Sequence, residues 1–147
     1  MIFNIKDFEK VGKLKVKKVK DMLSNGKNIY RNIEGFEDEV NYELIDIPLS
    51  KSGLERHVIS MTILHPGKVG KEFKMTTGHS HPGVEEVYIF LEGEGEIILK
   101  KDNDKKIHKI GEGDIASIPS GYWHRVVNTG EKKLIFISIF EKYGERG

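Results

Sequence analysis

The chain has 147 residues, a formal net charge of +1 and no cysteine. Its length fits a single domain that can bury a sizeable core. The lack of cysteine excludes disulfides and thiolate metal sites, and the balanced charge gives no whole-protein argument for nucleic-acid binding. No apolar run reaches the roughly 18 residues of a membrane span, and no signal-type apolar leader is recognisable. We therefore expect a cytoplasmic protein that binds neither nucleic acid nor membranes.

The N-terminal part of the chain is basic and has only weak helical signals. Residues 7–12 can form a short helix, whereas residues 16–24 are compatible with either a helix or a strand. Between Lys13 and Lys20 lysines alternate with leucine and valine, which predicts a half-exposed edge strand protected by its charges. Attraction of an anionic ligand or partner is the alternative. We expect residues 1–35 to be an extension packed on a domain formed by residues 36–147.

From Val40 onward, apolar residues recur at every second position and turn residues punctuate the chain at short intervals. This pattern is typical of an all-β sandwich or barrel. About eight antiparallel strands close best as a double-sheet jelly roll, because that arrangement hides most sheet edges. The predicted strands are 40–48, 57–64, 72–81, 86–91, 95–101, 106–109, 115–119, 123–128 and 134–140.

Three histidines and one glutamate are spaced as ligands of a single metal ion. In an extended strand His79 and His81 leave from the same face. Pro82-Gly83 signals a turn, which returns the chain with Glu86 close to that pair. His124 comes from a distant strand that begins after another Pro/Gly turn. This donor set suits Fe, Mn, Ni or Zn with one or two positions left for water or substrate, and an empty remnant site is the alternative.

The spacing around these residues resembles both halves of the cupin signature. Glu86 is followed after six residues by Gly93, although the first half lacks its leading glycine. The second half is present as Gly113, Pro119, Gly121, His124 and Asn128. The resemblance implies a single-domain, all-β cupin, a jelly roll or double-stranded β-helix. Tyr88 and Tyr122 then become candidate walls of the site, with ordinary core packing as their alternative role.

A longer stretch is more specific. Residues 66–73, Pro-Gly-Lys-Val-Gly-Lys-Glu-Phe, precede Thr-Thr-Gly-His at 76–79, and Tyr-Trp-His-Arg follows at 122–125. With residues 86–88, 93–95 and 135–137, these motifs resemble the archaeal, cupin-type glucose-6-phosphate isomerase family from about Val40 to Tyr143. The resemblance implies interconversion of glucose 6-phosphate and fructose 6-phosphate.

The same resemblance implies roles for individual residues. The metal ligands are His79, His81, Glu86 and His124; the substrate contacts are Thr62, Thr76, Gly78 and Tyr42; the catalytic residues are Glu86 and Tyr88. Glu86 acts either as a general base or only as a ligand during a hydride shift. Strict alternation places Thr77, rather than Thr76, on the face of His79, so Thr76 reaches the substrate only if the strand distorts at Gly78.

Two alternative functions stay open. One is a cupin dioxygenase that uses the same metal, and the other is a non-catalytic cupin that binds a sugar or metabolite. The latter gains weight from Phe140, because the family commonly has a tyrosine there. As partners we expect a sugar-phosphate substrate and, since cupins usually pair across a two-fold axis, a second copy of the chain in a homodimer.

Overall fold

The computed structural model describes residues 4–47, 57–81 and 83–141. Its few helical turns are all in the N-terminal part: 3₁₀ turns at Ile5–Asp7 and Val19–Asp21, and one short helix, α1 (Phe8–Val11). None of the helices in these ranges has the length and apolar content of a membrane span. The strands are β1 (Lys13–Lys18), β2 (Leu23–Ser24), β3 (Lys27–Asn28), β4 (Val40–Ile47), β5 (His57–Leu64), β6 (Lys68–Val69), β7 (Glu72–Phe73), β8 (Glu86–Glu92), β9 (Glu94–Lys101), β10 (Asp104–Gly111), β11 (Ile115–Ile118), β12 (Trp123–Asn128) and β13 (Leu134–Glu141).

Two antiparallel sheets form the body of the protein. One has six strands in the order β1-β4-β5-β13-β8-β11, and the other has three in the order β10-β9-β12. Two-stranded pairs, β2 with β3 and β6 with β7, complete the strands of the described ranges. The predicted all-β fold is confirmed, and the predicted strands 57–64 and 123–128 match β5 and β12 from end to end.

The prediction of one continuous strand over residues 72–81 is wrong. Only Glu72–Phe73 is a strand, and the chain then runs beside β12 with single bridges from Met75 to Val127 and from His79 to His124. The reason is local: Gly78 has a φ of +88°, which breaks the two-residue alternation of a strand. Pro48, the predicted end of another strand, lies outside the described residues.

The main core lies between the inner faces of the two sheets. It joins side chains of the six-stranded sheet to side chains of β9, β10 and β12, because alternation turns every second residue of each strand inward. Glu86, Tyr88 and Phe90 share the inner face of β8. The buried members of this core are Leu64, Tyr88, Phe90, Ile97, Ile110, Ile118, Val126, Leu134 and Phe136.

The outer face of the six-stranded sheet is also apolar. Phe8 of α1 packs there against Ile45, Met61 and Ile137, which ties the N-terminal segment to the sheet. The predicted edge strand is confirmed, since β1 ends the sheet and its residues Lys13–Lys17 are exposed. Residues 16–24 are strand up to Lys18 and then turn into the 3₁₀ segment, so they are not a helix.

The side chain of Asn128 holds the end of β12 in place. Its side chain is fully buried. Its amide nitrogen donates to the carbonyl oxygens of Leu64 and Lys132, both at 2.9 Å, and its oxygen accepts from the Gly130 backbone N–H at 3.0 Å. These bonds join β12 to the end of β5 and close the turn before β13, which fixes the strand that carries His124.

Replacing Asn128 with alanine removes these three hydrogen bonds and leaves the buried carbonyl of Leu64 without this partner. We expect the free energy of unfolding to fall by about 2–3 kcal/mol, at roughly 1 kcal/mol for each bond. Urea denaturation followed by circular dichroism measures the loss. Asn103→Ala, in the exposed turn before β10, is the matched control. Equal midpoints for the two variants would contradict this role of Asn128.

Candidate metal centre

The structure brings His79, His81, Glu86 and His124 into one cluster. One ligand atom from each residue lies within 4.8 Å of the other three. The Nε2 atoms of His124, His81 and His79 lie 2.8, 3.4 and 3.7 Å from Oε2 of Glu86. Ligands held ~2.1 Å from one ion are about 3.0–3.4 Å apart in octahedral or tetrahedral sites, and the three distances from Glu86 span this range.

Each ligand is positioned by the sheets. Glu86 is the first residue of β8 and His124 is the second of β12. The backbone of His79 exchanges two hydrogen bonds with that of His124, at 3.1 and 2.9 Å, which fixes the pair side by side. After His81, the N–H of Gly83 donates to the Ser120 hydroxyl at 2.8 Å and holds the returning turn. The cluster therefore spans both sheets.

The chemistry of the donor set requires a positive charge in its centre. Nδ1 of His124 lies 3.2 Å from the carbonyl oxygen of Tyr122, so it carries the ring proton and Nε2 presents a lone pair. That lone pair faces Oε2 of Glu86, and both buried atoms lack a hydrogen-bond partner. Two facing acceptors are stable only with a cation between them, which is a proton or a metal ion. The residues present fit a divalent metal.

Electrostatics keep the glutamate charged and the neighbouring tyrosine neutral. Burial raises the pKa of Glu86, but the hydrogen bonds and positive charges that His124 and His79 supply when their rings are protonated outweigh burial and lower this pKa to about 2. Burial raises the pKa of Tyr88 well above its usual value, and the charge and hydrogen bonding of Glu86 raise it further. Tyr88 is thus a neutral hydroxyl beside an ionised carboxylate.

A cavity of about 340 Å³ opens in front of the cluster. Three of the four predicted substrate contacts, Tyr42, Thr62 and Thr76, lie on its wall, as does the predicted catalytic Tyr88. Gly78 is not among the lining residues. The cavity wall consists of Tyr42, Leu44, Asp46, Val58, Ser60, Thr62, Thr76, Thr77, His79, His81, Glu86, Tyr88, Phe136, Ser138 and Phe140.

The distortion at Gly78 places both threonines before it on the cavity wall. A Cβ atom on Gly78 would lie 2.2 Å from Cζ2 of Trp123, so only glycine allows this close approach. Thr76 also anchors the segment, because its hydroxyl oxygen accepts from the Val126 N–H at 3.0 Å. Its own hydroxyl proton stays available to a ligand. The strand is therefore distorted at Gly78, and Thr76 reaches the cavity, as the sequence analysis required.

Arg125 holds the segment that carries the two threonines, a role that the sequence analysis did not predict. Its Nε donates to the carbonyl of Thr76 at 2.9 Å and its Nη2 to the carbonyl of Thr77 at 2.6 Å. The guanidinium lies over the ring of Trp123, 5.0 Å from the ring centre. The Tyr-Trp-His-Arg motif contained Arg125, but no local pattern indicates that it binds carbonyls almost fifty residues away.

The remaining aromatic residues and histidines near the motifs pack against neighbouring side chains or lie at the surface. Phe140 stacks on the His81 ring, with centroids 5.1 Å apart. Tyr122 packs at the edge of the core and does not line the cavity, which favours its alternative role. His57 and His108 are exposed on strands, and Nε2 of His65 lies 3.5 Å from Oε2 of Glu43, so these three histidines do not belong to the cluster.

A larger hollow of about 570 Å³ lies among the turns at residues 93–94, 111–112 and 129–132. Its wall has carboxylates and one lysine but none of the clustered ligands. The smaller cavity, which holds the cluster, is therefore the candidate functional site.

The fold and the site together define a cupin with a three-histidine, one-glutamate centre at the mouth of its cavity. A family model described as glucose-6-phosphate isomerase matches residues 15–144. The chain is 33% identical to a glucose-6-phosphate isomerase of Thermococcus kodakarensis over 84% of its own length. It is 36% identical to that of Pyrococcus furiosus over 71%. The chain belongs to the glucose-6-phosphate isomerase family.

The chain aligns with only part of the length of each of these relatives. The alignments span 69% of the T. kodakarensis relative, 55% of one from Thermococcus litoralis and 56% of the P. furiosus relative.

Solved structures agree on the fold. A protein described as a predicted oxalate decarboxylase from Thermotoga maritima matches 68% of this chain with a TM-score of 0.55 and 26% identity, over 79% of its own length. A cupin 2 conserved barrel domain protein from Salinispora arenicola matches 71% of this chain and 79% of its own, with a TM-score of 0.55 and 18% identity.

Replacing Arg125 with methionine keeps the length of the side chain but removes both hydrogen bonds to the threonine carbonyls. We expect the amides of Thr76 and His79, which bond to β12, to exchange their hydrogens at least about tenfold faster, from roughly 1.5 kcal/mol of lost charged hydrogen bonding. Hydrogen–deuterium exchange mass spectrometry of peptides covering 74–81 measures the effect. Arg31→Met, at an exposed position, is the control. Unchanged exchange in the Arg125 variant would show that the guanidinium does not hold this segment.

Proposed function

We propose that this protein is a metal-dependent aldose–ketose isomerase that interconverts glucose 6-phosphate and fructose 6-phosphate. The observation that carries the proposal is the convergence of four metal-ligating side chains on a cavity that is also lined by threonine hydroxyls. Membership of the glucose-6-phosphate isomerase family supports the choice of substrate. The substrate is a sugar phosphate, and the expected setting is glycolysis or gluconeogenesis in the cytoplasm.

His79, His81, Glu86 and His124 hold the proposed ion. The donor set accepts Fe, Mn, Ni or Zn, since imidazole and carboxylate suit all four. When bound, such an ion polarises the oxygens of the substrate carbons C1 and C2 and stabilises the negative charge that develops there. The buried lone pairs of Glu86 and His124 are the structural support for this assignment.

Threonines bind the phosphate in this proposal. Thr62 and Thr76 lie on the cavity wall, and Thr76 keeps a hydroxyl proton for an acceptor. Hydroxyl and backbone N–H groups can hold a phosphate without an arginine fork. Tyr42 adds a hydroxyl that burial keeps protonated, since burial, and then the charge of Asp46, raises its pKa. The backbone N–H of Gly78 is the remaining proposed phosphate contact, although Gly78 is not a lining residue of the cavity.

Glu86 and Tyr88 carry the chemistry. Isomerisation moves a hydrogen between C2 and C1, and Glu86 is the proposed general base that takes the proton from one carbon and returns it to the other. A positioned carboxylate contributes roughly 10²–10⁴-fold to such a transfer. Tyr88, whose raised pKa keeps it neutral beside Glu86, exchanges protons with the substrate hydroxyls.

A dioxygenase could use the same four metal-ligating residues. That function gives the threonines on the cavity wall, Thr62 and Thr76, no role. Oxygen consumption by the Fe-loaded protein with a sugar phosphate separates the two chemistries, because isomerisation consumes none.

The activity is tested with metal-loaded protein and fructose 6-phosphate, by coupling glucose 6-phosphate to NADP reduction. We expect turnover in the wild type and a loss of at least about 10²-fold in kcat for Glu86→Gln, which removes the base. Glu85→Gln, at the exposed neighbouring position, should behave as the wild type. In D₂O, proton transfer through Glu86 should place solvent deuterium in the product.

Three results would contradict parts of this proposal. No turnover with any of the four metals would exclude the isomerase. Equal kcat for the Glu86 and Glu85 variants would exclude Glu86 as the base. Complete retention of the substrate hydrogen in D₂O would favour a hydride shift with Glu86 as a ligand only. Metal content of each variant, measured by plasma mass spectrometry, separates loss of the ion from loss of the base.

We also propose that two copies pair through the outer face of the six-stranded sheet. One apolar row crosses all six strands in register, and its ends, Leu14 and Ile115, are 58% and 69% exposed. Phe8 covers the middle of this row, whereas the two ends leave apolar surface exposed, and exposed apolar surface favours an interface. The row consists of Leu14, Ile45, Met61, Ile137, Ile89 and Ile115.

Light scattering coupled to size-exclusion chromatography tests the pairing. We expect a dimer for the wild type and a monomer for the double variant Leu14→Lys/Ile115→Lys, because the added charges must be desolvated at the interface. Ile107→Lys, at a 52% exposed position on the other sheet, should stay dimeric. A monomeric wild type would overturn the proposal.

A further inference from the structure

Two serines in the cavity have no part in the chemistry proposed above. Ser60 and Ser138 are only 5% and 7% exposed, yet both line the cavity. Their hydroxyl oxygens lie 3.0 Å apart, and the two residues face each other across β5 and β13. One hydroxyl donates to the other, so one O–H proton and the remaining lone pairs have no partner in the pair. Buried hydroxyls are costly unless their hydrogen bonding is completed.

Register places Ser138 between the two ends of the proposed substrate. On the inner face of β13, Phe140 is opposite Glu86, Ser138 is opposite Tyr88, and Phe136 is opposite Thr62. β13 itself lies between β8 and β5. The diagonal path from Glu86 to Thr62 therefore crosses β13 at Ser138, with Ser60 beside it. A ligand that spans the metal centre and the threonine wall must pass over this pair.

The neighbours of the pair set the orientation of the ligand. Asp46 is opposite Ser60 on β4, lines the cavity and has a side chain 40% exposed, with Oδ2 3.7 Å from Nζ of Lys15. The negative charge of Asp46 disfavours a phosphate in this part of the cavity. The phosphate is therefore expected beside the threonines. The rest of the inner face near the pair is apolar, with Leu44, Val58 and Phe140. Between Asp46 and Tyr88, the serines offer polar contacts to the middle of a sugar chain.

We propose that the Ser60–Ser138 pair binds the hydroxyl groups on C3 and C4 of the open-chain sugar phosphate and so selects a polyhydroxylated substrate over deoxy analogues. This inference rests on the proposed function, because it assumes the same phosphate and carbonyl ends. It concerns binding and specificity; neither serine takes part in moving the hydrogen.

The test measures binding rather than turnover. Glucitol 6-phosphate, which has no carbonyl and cannot react, is titrated calorimetrically against the metal-loaded protein, beside its 3-deoxy and 4-deoxy analogues. For the wild type we expect about 5–10-fold weaker binding for each missing hydroxyl, the usual worth of a buried hydrogen bond. For Ser60→Ala/Ser138→Ala the three ligands should bind within about twofold of one another. Inorganic phosphate should bind equally to both proteins.

The double variant is expected to fold, because removing both partners of a hydrogen bond together is nearly neutral for stability. Ser138→Ala alone is a second variant and should lose part of the discrimination. Ser117→Ala, exposed on β11, is the control and should keep all of it. A double variant that discriminates as the wild type does would overturn the inference.

The outcomes separate the two proposals. Discrimination that depends on the serines, without isomerisation, contradicts the isomerase but supports the pair as a sugar-binding site. Isomerisation with no loss of discrimination in the double variant contradicts the pair alone. A wild type that does not bind glucitol 6-phosphate contradicts both.

Discussion

A buried carboxylate surrounded by three imidazoles is the interaction on which the rest of the site depends. Oε2 of Glu86 lies 2.8 Å from Nε2 of His124, with both atoms shielded from water and without hydrogen-bond partners. Such an arrangement is stable only when a cation completes it, because a buried charge or lone pair without a partner costs several kcal/mol. The fold holds it in place by pairing the histidine segment with β12 and by starting β8 at the glutamate.

The wall of the cavity depends on a second constraint, the irregular backbone around Gly78. A regular strand would have shown only every second residue of 74–81 to the cavity. The left-handed glycine and the close approach of Trp123 turn Thr76, Thr77 and His79 toward the same space. Arg125 then binds the carbonyls that this distortion releases from regular pairing. Ligand-binding geometry is thus gained by local departure from the sheet.

Local patterns in the sequence were sufficient for most of the strands and for three members of the histidine–glutamate cluster. Alternation in β5 and β12 is regular, so residues 57–64 and 123–128 were predicted without error. Three members of the cluster followed from His-x-His, a turn and a glutamate, which are neighbours in the chain, whereas His124 followed from the spacing of the second cupin motif. The role of each residue in binding and catalysis remains a prediction.

Contacts between distant residues were beyond sequence reasoning. Ser60 and Ser138 are 78 residues apart, and each looks like an ordinary polar position in a strand. Arg125 and its carbonyl partners are 48 and 49 residues apart. The strand predicted over 72–81 failed because alternation was extended through Gly78, which has a positive φ and lies so close to Trp123 that no Cβ would fit. Such features depend on the tertiary arrangement, which propensity and period do not encode.

Binding of a metal ion by the four-residue cluster is tested by anomalous diffraction from crystals of the metal-loaded protein, recorded on both sides of the absorption edge of the metal. We expect one anomalous peak about 2.0–2.2 Å from ligand atoms of His79, His81, Glu86 and His124. A peak elsewhere, or imidazoles bridged to Glu86 by protons alone at full metal loading, would contradict it.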